Sequence, residues 1–420
     1  MEKKIKVLTL GDHPLSPSGV GTQTRYMIEA LLKTGKFNII SFGGAISHND
    51  YQPTKTEQWG DDWVIFPVDG YGSADQIRSV MRNERPDVLW FMTDPRFYAW
   101  LWQIEDEVRP MMPMVYYHVW DNYPYPKFNT KFYDSNDLIV TISKVTDDIC
   151  KTLCTKAEVK HIPHAVNTEI FKPVTAEQKR DLREKSFSEE ADRNKVLFFW
   201  NNRNARRKQS GSLIFWFKQF LDRVGHDKAC LIMHTDPKDG HGQDLEAIVR
   251  ELGVDKGQVL FSVQKIAPEN LAAMYAMCDC TVNVSDAEGF GLATLESLAC
   301  EVPIIVNMTG GLQEQITDGE NWFGIGIEPC SKAIIGSQEI PWIYEDRVNG
   351  DTFVQALESI YNASEEERTA MGTAGREHVI KNYSFEFFEE EWVKTMLDLH
   401  KKHGSWDTRT NYKAWRFEEV

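Results

Sequence analysis

The sequence predicts an α/β protein of two doubly wound domains, and three observations support this class. Short apolar segments rich in β-branched residues alternate with segments whose apolar residues recur at helical spacing, as in parallel sheets covered by helices. The length of 420 residues favours two domains, and a hydrophobic content of 42% is sufficient for two cores. A polar, charged stretch at 175–194 separates two series of strands.

The first series begins with a predicted strand at Ile5–Leu10. A loop with Gly19 and Gly21 follows, and then a helix, which is the order of a Rossmann-type unit. The glycines do not follow the G-x-G-x-x-G spacing, so a dinucleotide site is disfavoured, and the loop either faces a phosphate or is a tight turn. Further predicted strands of this series are Phe37–Phe42, Val64–Val68, Val88–Phe91, Val115–Tyr117 and Leu138–Thr141.

Two loops of the first series follow strands and combine polar with aromatic residues. One contains Asp94, and the other contains Trp120, Asp121 and Tyr123 directly after His118 at the end of a strand. Ligands bind at the carboxyl ends of strands in such sheets, and exposed rings can stack on sugars or bases. The same rings can equally belong to the core, where aromatic residues usually lie.

The second series opens with a buried strand at Val196–Trp200 and a basic loop. The loop contains Arg203, Arg206, Arg207 and Lys208. It is a solvated loop, a nucleic-acid patch or a clamp for a diphosphate, since an Arg fork and a Lys point charge can converge on one anion.

Residues 285–296 are the centre of the second series. A short strand at Cys280–Val284 precedes them and a helical pattern follows, which predicts a strand–loop–helix turn. The end of the loop and the start of the helix carry Gly289, Phe290, Gly291 and Leu292. Glycines let a ligand approach the backbone, and the unpaired amides that open a helix favour a phosphate group.

Two carboxylates flank this anion site. Glu288 lies just before the helix and Glu296 lies inside it, about 7 Å further along the axis. Carboxylates accept hydrogen bonds from hydroxyls, so one can hold a ribose and the other a sugar on the far side of a diphosphate. The residues therefore predict a nucleotide-sugar site.

Glu288 and Glu296, with Gly-Phe-Gly-Leu after the first, resemble the E-x7-E motif of the GT-B fold, family 4 retaining glycosyltransferases (glycosyl transferases group 1). Further segments occur in the family's order: 161–173, Arg203 with Lys208 as R-x4-K, and 309–314 as G-G-x-x-E. The chain departs from the family at Ala165, Asn167 and Asn202, where Gly, Asp and Gly are usual.

The resemblance implies the GT-B architecture of two Rossmann-like domains around a cleft. We predict an acceptor domain at 1–190, a donor domain at 191–385, and a crossover helix with a tail at 386–420 that packs back on the first domain. The helix is expected because Phe388, Trp392, Met396 and Leu399 share one face. The tail carries Trp406, Tyr412, Trp415 and Phe417.

The resemblance also implies a retaining transfer of a sugar from a nucleoside diphosphate sugar to a hydroxyl acceptor. It assigns catalytic roles to His118, Glu288, Arg203 and Lys208. The donor site would comprise Gly19, Gly21, Arg203, Lys208, Glu288, Gly289, Phe290, Gly291, Leu292 and Glu296. Asp94, Trp120, Asp121 and Tyr123 would face the acceptor. No D-x-D pair ends a strand, so we expect neither an essential metal nor a further cofactor.

Composition limits the alternatives. With 47 Lys and Arg against 63 Asp and Glu, the net charge of −16 disfavours broad binding to nucleic acid or an anionic membrane. Seven scattered Cys and a start without a signal-peptide pattern favour the cytoplasm, and no apolar run is long enough to span a membrane. The alternatives are transfer to hydroxylated bases in DNA, a dinucleotide-dependent oxidoreductase, and a catalytically silent nucleotide-sugar binder. Acceptor and oligomeric state are open.

Overall fold

The structure is a computed structural model of the chain, and it describes residues 3–120 and 122–412. Asp121, predicted on the acceptor side, and Trp415 and Phe417 of the tail lie outside the described residues. Within the described ranges the strands form a first sheet, a second sheet and a separate hairpin.

Eight strands of the described chain form the first sheet: β1 (Ile5–Asp12), β2 (Phe37–Gly44), β3 (Thr54–Lys55), β4 (Trp63–Pro67), β5 (Val88–Met92), β6 (Met114–His118), β7 (Leu138–Thr141) and β8 (Glu158–His161). Their order is β3-β4-β2-β1-β5-β6-β7-β8. Neighbours are parallel except β3 with β4. The carboxyl ends of β1, β5, β6 and β7 therefore meet at one edge, where ligands bind in such sheets.

Helices connect these strands because parallel neighbours require crossovers. They are α1 (Gly19–Lys33), α2 (Ala74–Glu84), α3 (Ala99–Trp102), α4 (Glu105–Val108), α5 (Thr130–Asp134) and α6 (Lys144–Leu153). After β8, α7 (Ala176–Ser186) and α8 (Glu190–Arg193) lead to the second sheet. The side chains of Ser18 and Ser143 accept hydrogen bonds from backbone N–H groups at the starts of α1 and α6. These caps fix both helix starts at the ligand edge of the sheet.

The second sheet consists of six parallel strands in the described ranges: β9 (Val196–Asn201), β10 (Ala229–His234), β11 (Val259–Ser262), β12 (Cys280–Asn283), β13 (Ile304–Asn307) and β14 (Gly324–Ile327). Their order is β11-β10-β9-β12-β13-β14. Its helices are α9 (Ser210–Val224), α10 (Leu245–Glu251), α11 (Pro268–Met277), α12 (Leu292–Ala299), α13 (Leu312–Ile316), α14 (Gly350–Asn362) and α15 (Glu365–Asn382). Both sheets grow outwards in two directions from an inner strand, so the predicted doubly wound architecture is confirmed.

The separate hairpin was not predicted from the sequence. Its strands β15 (Ser331–Ile335) and β16 (Ile343–Arg347) pair antiparallel with each other and with neither sheet. Its tip reaches the first domain, where Ile340 and Ile343 pack in a cluster with Trp120 and Tyr133. We call residues 331–347 the bridging hairpin.

The last long helix, α16 (Phe385–His403), returns to the first domain as predicted. The Trp392 ring is fully buried and packs edge-on against Trp90 and Tyr117 of the first sheet, with centroids 5.9 and 5.0 Å away. Beyond the helix, the indole N–H of Trp406 donates to the carbonyl of Pro86 at 2.9 Å. The chain thus completes the core of the first domain after it has built the second.

The domain boundaries near 190 and 385 stay predictions. α7 lies before residue 190, yet Lys179 and Arg183 form ion pairs of 2.9 and 2.7 Å with Asp279 of the second domain. Segment 175–194 is therefore held by the second domain's charges, although its polar composition suggested a linker.

Candidate functional site

The strand–loop–helix turn predicted at 285–296 forms between β12 and α12. Gly291 has φ +94° and precedes α12, in a backbone region that favours glycine. The backbone of a second glycine pair supports this loop. The N–H of Gly311 donates to the carbonyl of Glu288 at 3.0 Å, and a Cβ on Gly310 would collide with that carbonyl oxygen. The glycines at 310 and 311 therefore pack against the loop and fix its position.

Glu288 lies in a cationic surrounding. Its carboxylate pairs with Lys208, and Arg207 Nη1 lies 4.0 Å away. The side chain is 12% exposed, and the hydroxyl of Ser285 also donates to it at 3.4 Å. Burial raises the pKa of Glu288, but the charges of Lys208 and Arg207 outweigh it and hold the pKa below its ordinary value. Glu288 is thus an ionised hydrogen-bond acceptor beside the helix start.

Glu296 lies in a more apolar surrounding on α12. It accepts a hydrogen bond from the hydroxyl of Tyr275 at 2.8 Å. Burial nevertheless raises the pKa of Glu296 to about 7. Burial also raises the pKa of Tyr26 to about 12, with the Glu296 charge as the next cause, which places α1 of the first domain next to this carboxylate. The two predicted carboxylates therefore titrate in different pH ranges.

The cationic side chains of the basic loop after β9 contact different partners. Lys208 points to Glu288, whereas Arg203 is 61% exposed and pairs with Asp239 at 2.6 Å. The predicted clamp of Arg203 and Lys208 on one anion is therefore not assembled in this structure and stays a prediction. The other two arginines of the loop keep exposed surface and also contact protein groups: Arg206 pairs with Glu345, and Arg207 donates to the Ala287 carbonyl.

The glycine loop of the first domain faces the donor motif. The hydroxyl of Ser18 accepts a hydrogen bond from the Gly21 N–H at 2.9 Å, and a Cβ on Gly21 would lie 2.6 Å from the Ser16 hydroxyl. A Cβ on Gly19 would lie 3.0 Å from a methyl group of Leu292. The loop therefore needs glycine both for its own turn and for its approach to α12.

His118 is placed differently from the prediction that it faces the cleft. It ends β6 as predicted, but its side chain has no exposed surface, and Nε2 lies 2.9 Å from the Tyr133 hydroxyl. Nδ1 has no hydrogen-bond partner among the described residues. Burial lowers the pKa of His118 to about 3, so the imidazole is neutral at physiological pH. In this structure it is closed off from the cleft.

The residues predicted to face the acceptor lie in different surroundings. Trp120 is buried in the core, and its indole N–H donates to the Asn122 carbonyl at 3.1 Å. Asp94 pairs with Arg96 at 2.9 Å and caps the short turn after β5. Tyr123 keeps exposed surface and lines a cavity of about 420 Å³ between the domains. Tyr123 is thus a candidate that borders an open volume.

Sequence reasoning missed a charge network beside the donor loop. Asp286 is buried and bonded to Arg347 and to Gln209, the latter at 2.6 Å, while Glu345 holds Arg206. Both Arg347 and Glu345 belong to the bridging hairpin. The run of three charged residues at 345–347 was the available signal, but so short a run does not identify a partner.

Residues 3–120 and 122–412 contain neither a metal-holding cluster nor a helix suited to cross a membrane. No group of three or more His, Cys, Asp or Glu side chains is arranged to hold a metal ion there. Over the same ranges, no helix combines the length and apolar content needed to cross a membrane.

Known proteins resemble this chain in sequence and in fold. Residues 181–378 match the family model described as glycosyl transferases group 1. The chain is 26% identical over 239 residues to a GDP-mannose-dependent monoacylated alpha-(1-6)-phosphatidylinositol monomannoside mannosyltransferase of Corynebacterium glutamicum, covering 55% of this chain and 54% of that protein. It is 32% identical over 139 residues to a D-inositol 3-phosphate glycosyltransferase of Acidothermus cellulolyticus, covering 30% and 31%. The matches thus span about half, or less, of these curated relatives.

Solved structures share the fold over nearly the whole chain. Sucrose-phosphate synthase from Thermosynechococcus elongatus superposes with a TM-score of 0.75 at 17% identity, covering 95% of this chain and 100% of that one. Anabaena Alr3699/HepE in complex with UDP and glucose gives 0.67 at 15% identity, covering 94% and 100%. The region that matches the group 1 glycosyltransferase model, residues 181–378, contains the predicted strand–loop–helix turn, and the chain as a whole has the GT-B fold.

Proposed function

We propose that this protein is a retaining glycosyltransferase that transfers a sugar from a nucleoside diphosphate sugar to a hydroxyl acceptor. The observation that carries the proposal is the pairing of Lys208 with Glu288 beside the opening amides of α12, with Glu296 further along the helix. Cation, amides and carboxylates together match the charge distribution of a diphosphate between two hydroxylated groups.

Negative charge builds on the leaving diphosphate as its bond to the sugar breaks. Lys208 and the amides at the start of α12 would stabilise that charge because they are already in place and partly shielded from water. Glu288 would then accept hydrogen bonds from sugar hydroxyls, and Glu296 from the ribose. Arg203 would join Lys208 only after exchanging its contact with Asp239.

The family resemblance further supports front-face attack, in which the leaving phosphate accepts the proton of the acceptor hydroxyl. This route needs no protein base, which suits the neutral, buried His118. We propose that no metal is required, because Lys208 and the amides supply the positive charge.

Thermal shift and donor hydrolysis test this function. The panel consists of UDP-, GDP-, ADP- and dTDP-sugars, since the relatives' names include GDP-mannose and a neighbouring structure contains UDP. We expect one nucleotide class to raise the melting temperature and its sugar to be released slowly in water, because a ligand of the native state stabilises it. Millimolar donors that neither stabilise nor hydrolyse would exclude the proposal.

A matched pair of variants locates the effect. Glu296→Gln removes the carboxylate on α12, and Glu251→Gln alters an exposed carboxylate at the end of α10. The donor shift should shrink only in the first variant. An equal donor-induced shift in melting temperature in both variants would show that Glu296 does not bind the donor.

A further inference from the structure

The bridging hairpin places two different faces on the two sides of its ribbon. Residues opposite each other in an antiparallel pair share a face, and the register pairs Ile334 with Tyr344 and Lys332 with Asp346. Trp342 lies two residues from Tyr344 and therefore belongs to the same face. The opposite face holds Ile343, Glu345 and Arg347.

The second face fixes the hairpin to the donor motif. Arg347 pairs with the buried carboxylate of Asp286, and Glu345, itself 3% exposed, pairs with Arg206. The backbone N–H of Asp346 donates to the Asp286 carbonyl at 2.9 Å. The hairpin is thus fixed two residues from Glu288.

The first face is open and meets the acceptor side. The N–H of Tyr344 donates to the carbonyl of Tyr123, and the amide of Asn122 donates to the Tyr344 carbonyl at 3.1 Å. Lys332 Nζ lies 5.6 Å from the centre of the Tyr123 ring, which stacks with Tyr125 at 5.6 Å and 26°. The face with Lys332 is therefore directed toward these two rings.

A strip of rings results, and it ends at a cavity. Trp342 is 47% exposed and lies 6.0 Å from the Tyr344 ring, edge to face. We call Tyr123, Tyr125, Trp342 and Tyr344 the ring strip. Tyr123 borders the cavity of about 420 Å³, a size ordinary for small-molecule sites. Its other walls include Lys144, Asp148, Gly310 and Gln313.

We propose that the ring strip and this cavity form a subsite for a sugar unit of the acceptor, one that is not the reacting unit. Rings bind the apolar faces of a saccharide, while the amide of Gln313 and the charges of Lys144 and Asp148 suit its hydroxyls. The subsite is separate from the reacting centre because the Glu288 carboxylate turns toward Lys208, whereas its backbone carbonyl turns toward Gly310, which lines the cavity. This inference rests on the proposed function and names its acceptor class.

Charge favours a saccharide over nucleic acid at this place. Burial is the main cause that raises the pKa of the Tyr123 hydroxyl, and the nearby carboxylates of Asp148 and Asp346 raise it further. A phosphate backbone would be repelled there, and Lys332 is already shared with Asp346 at 3.4 Å. A neutral glycan meets no such penalty.

Saturation-transfer NMR tests the subsite without knowledge of the full acceptor. The probes are maltotriose, mannotriose and chitotriose, with the corresponding methyl glycosides and a duplex containing 5-hydroxymethylcytosine. We expect at least one trisaccharide to bind, with its dissociation constant about tenfold higher in Trp342→Ala and largely restored in Trp342→Phe. Phe215→Ala, which removes an equally exposed ring (45%) from α9, should bind like wild type.

The outcomes distinguish failure of the subsite from failure of the proposed function. Donor hydrolysis by wild type and by Phe215→Ala, at rates within twofold, shows that the enzyme is intact whatever the trisaccharides do, and an unchanged melting temperature shows that Trp342→Ala is folded. With hydrolysis present, absent trisaccharide binding, equal binding in all variants, or binding of the duplex alone would overturn the subsite. Absent hydrolysis and absent donor binding would overturn the proposed function, and the subsite with it.

Discussion

The proposed donor side and the proposed acceptor side of the cleft are built in different ways. On the donor side, Lys208, Glu288 and Glu296 come from loops and a helix of the second domain, where Lys208 pairs with Glu288 and Tyr275 donates to Glu296. On the acceptor side, His118 and Trp120 are buried in the first domain, and the open surface at Tyr123 is completed by the bridging hairpin from the second. Under the proposed function, sugar release would therefore depend on one domain, whereas acceptor choice would depend on surfaces from both domains.

Lys208→Ala tests the donor side most severely. The variant removes the cation beside Glu288 and the proposed stabiliser of the leaving diphosphate, so donor hydrolysis should fall by roughly 10²–10³-fold. Stopped-time assays of released nucleoside diphosphate measure this loss. Lys256→Ala, an exposed lysine before β11, serves as control and should retain full activity. Equal hydrolysis rates in Lys208→Ala and Lys256→Ala would show that Lys208 does not stabilise the leaving diphosphate.

Gly310→Ala tests whether the donor loop depends on close backbone packing. Gly310 and Gly319 both have positive φ, but only a Cβ at 310 meets another atom, the Glu288 carbonyl. We expect Gly319→Ala to cost about 1–2 kcal/mol from backbone strain. Gly310→Ala should cost roughly 3–4 kcal/mol and abolish the donor-induced thermal shift. Urea midpoints of the two variants give the difference, and similar midpoints would contradict it.

Glu296→Gln separates stability from binding on the donor side. A folded pKa of about 7 means that folding favours the protonated carboxyl, so stability contributed by this group is lost as the pH rises from 4.5 to 7. Gln should therefore raise the melting temperature by about 2–4 °C at pH 8, with little change at pH 4.5. Donor affinity should fall about tenfold at pH 8. A lower melting temperature of Glu296→Gln than of wild type at pH 8 would contradict the raised pKa of Glu296.

His118→Gln is expected to change the pH–rate profile least, and it tests whether His118 stays buried in the working enzyme. With a pKa of about 3, His118 does not titrate between pH 5 and 9, so the shape of the pH–rate profile should match wild type. Any acid limb near pH 7 should follow Glu296 instead. The loss of a titration step in the variant would show that His118 becomes solvated in the working enzyme.

The two sides also differ in how well the sequence predicts them. The donor turn was predictable because its strand, glycines and helix lie within about twenty residues and follow local backbone rules. The amphipathic pattern likewise gave α16, since Phe388, Trp392, Met396 and Leu399 are all buried. Both features depend on neighbours in sequence.

The remaining features depend on distant partners. The bridging hairpin is stabilised by Asp286, Arg206 and the Tyr123 backbone, none of which its own short strands reveal. The burial of His118 depends on Tyr133, which follows the strand by fifteen residues and comes from a separate helix. A residue at the end of a strand can face either side, and only the assembled fold decides between them.

The position of Trp392 in the first domain has a consequence for synthesis on the ribosome. β8 ends at His161, and α16 emerges roughly 240 residues later, or roughly 12–48 s later at about 5–20 residues per second. During this interval the nascent first domain lacks the ring that covers Trp90 and Tyr117. Chains stalled before α16 should be cleaved by protease within the first domain, whereas released full-length chains should resist cleavage.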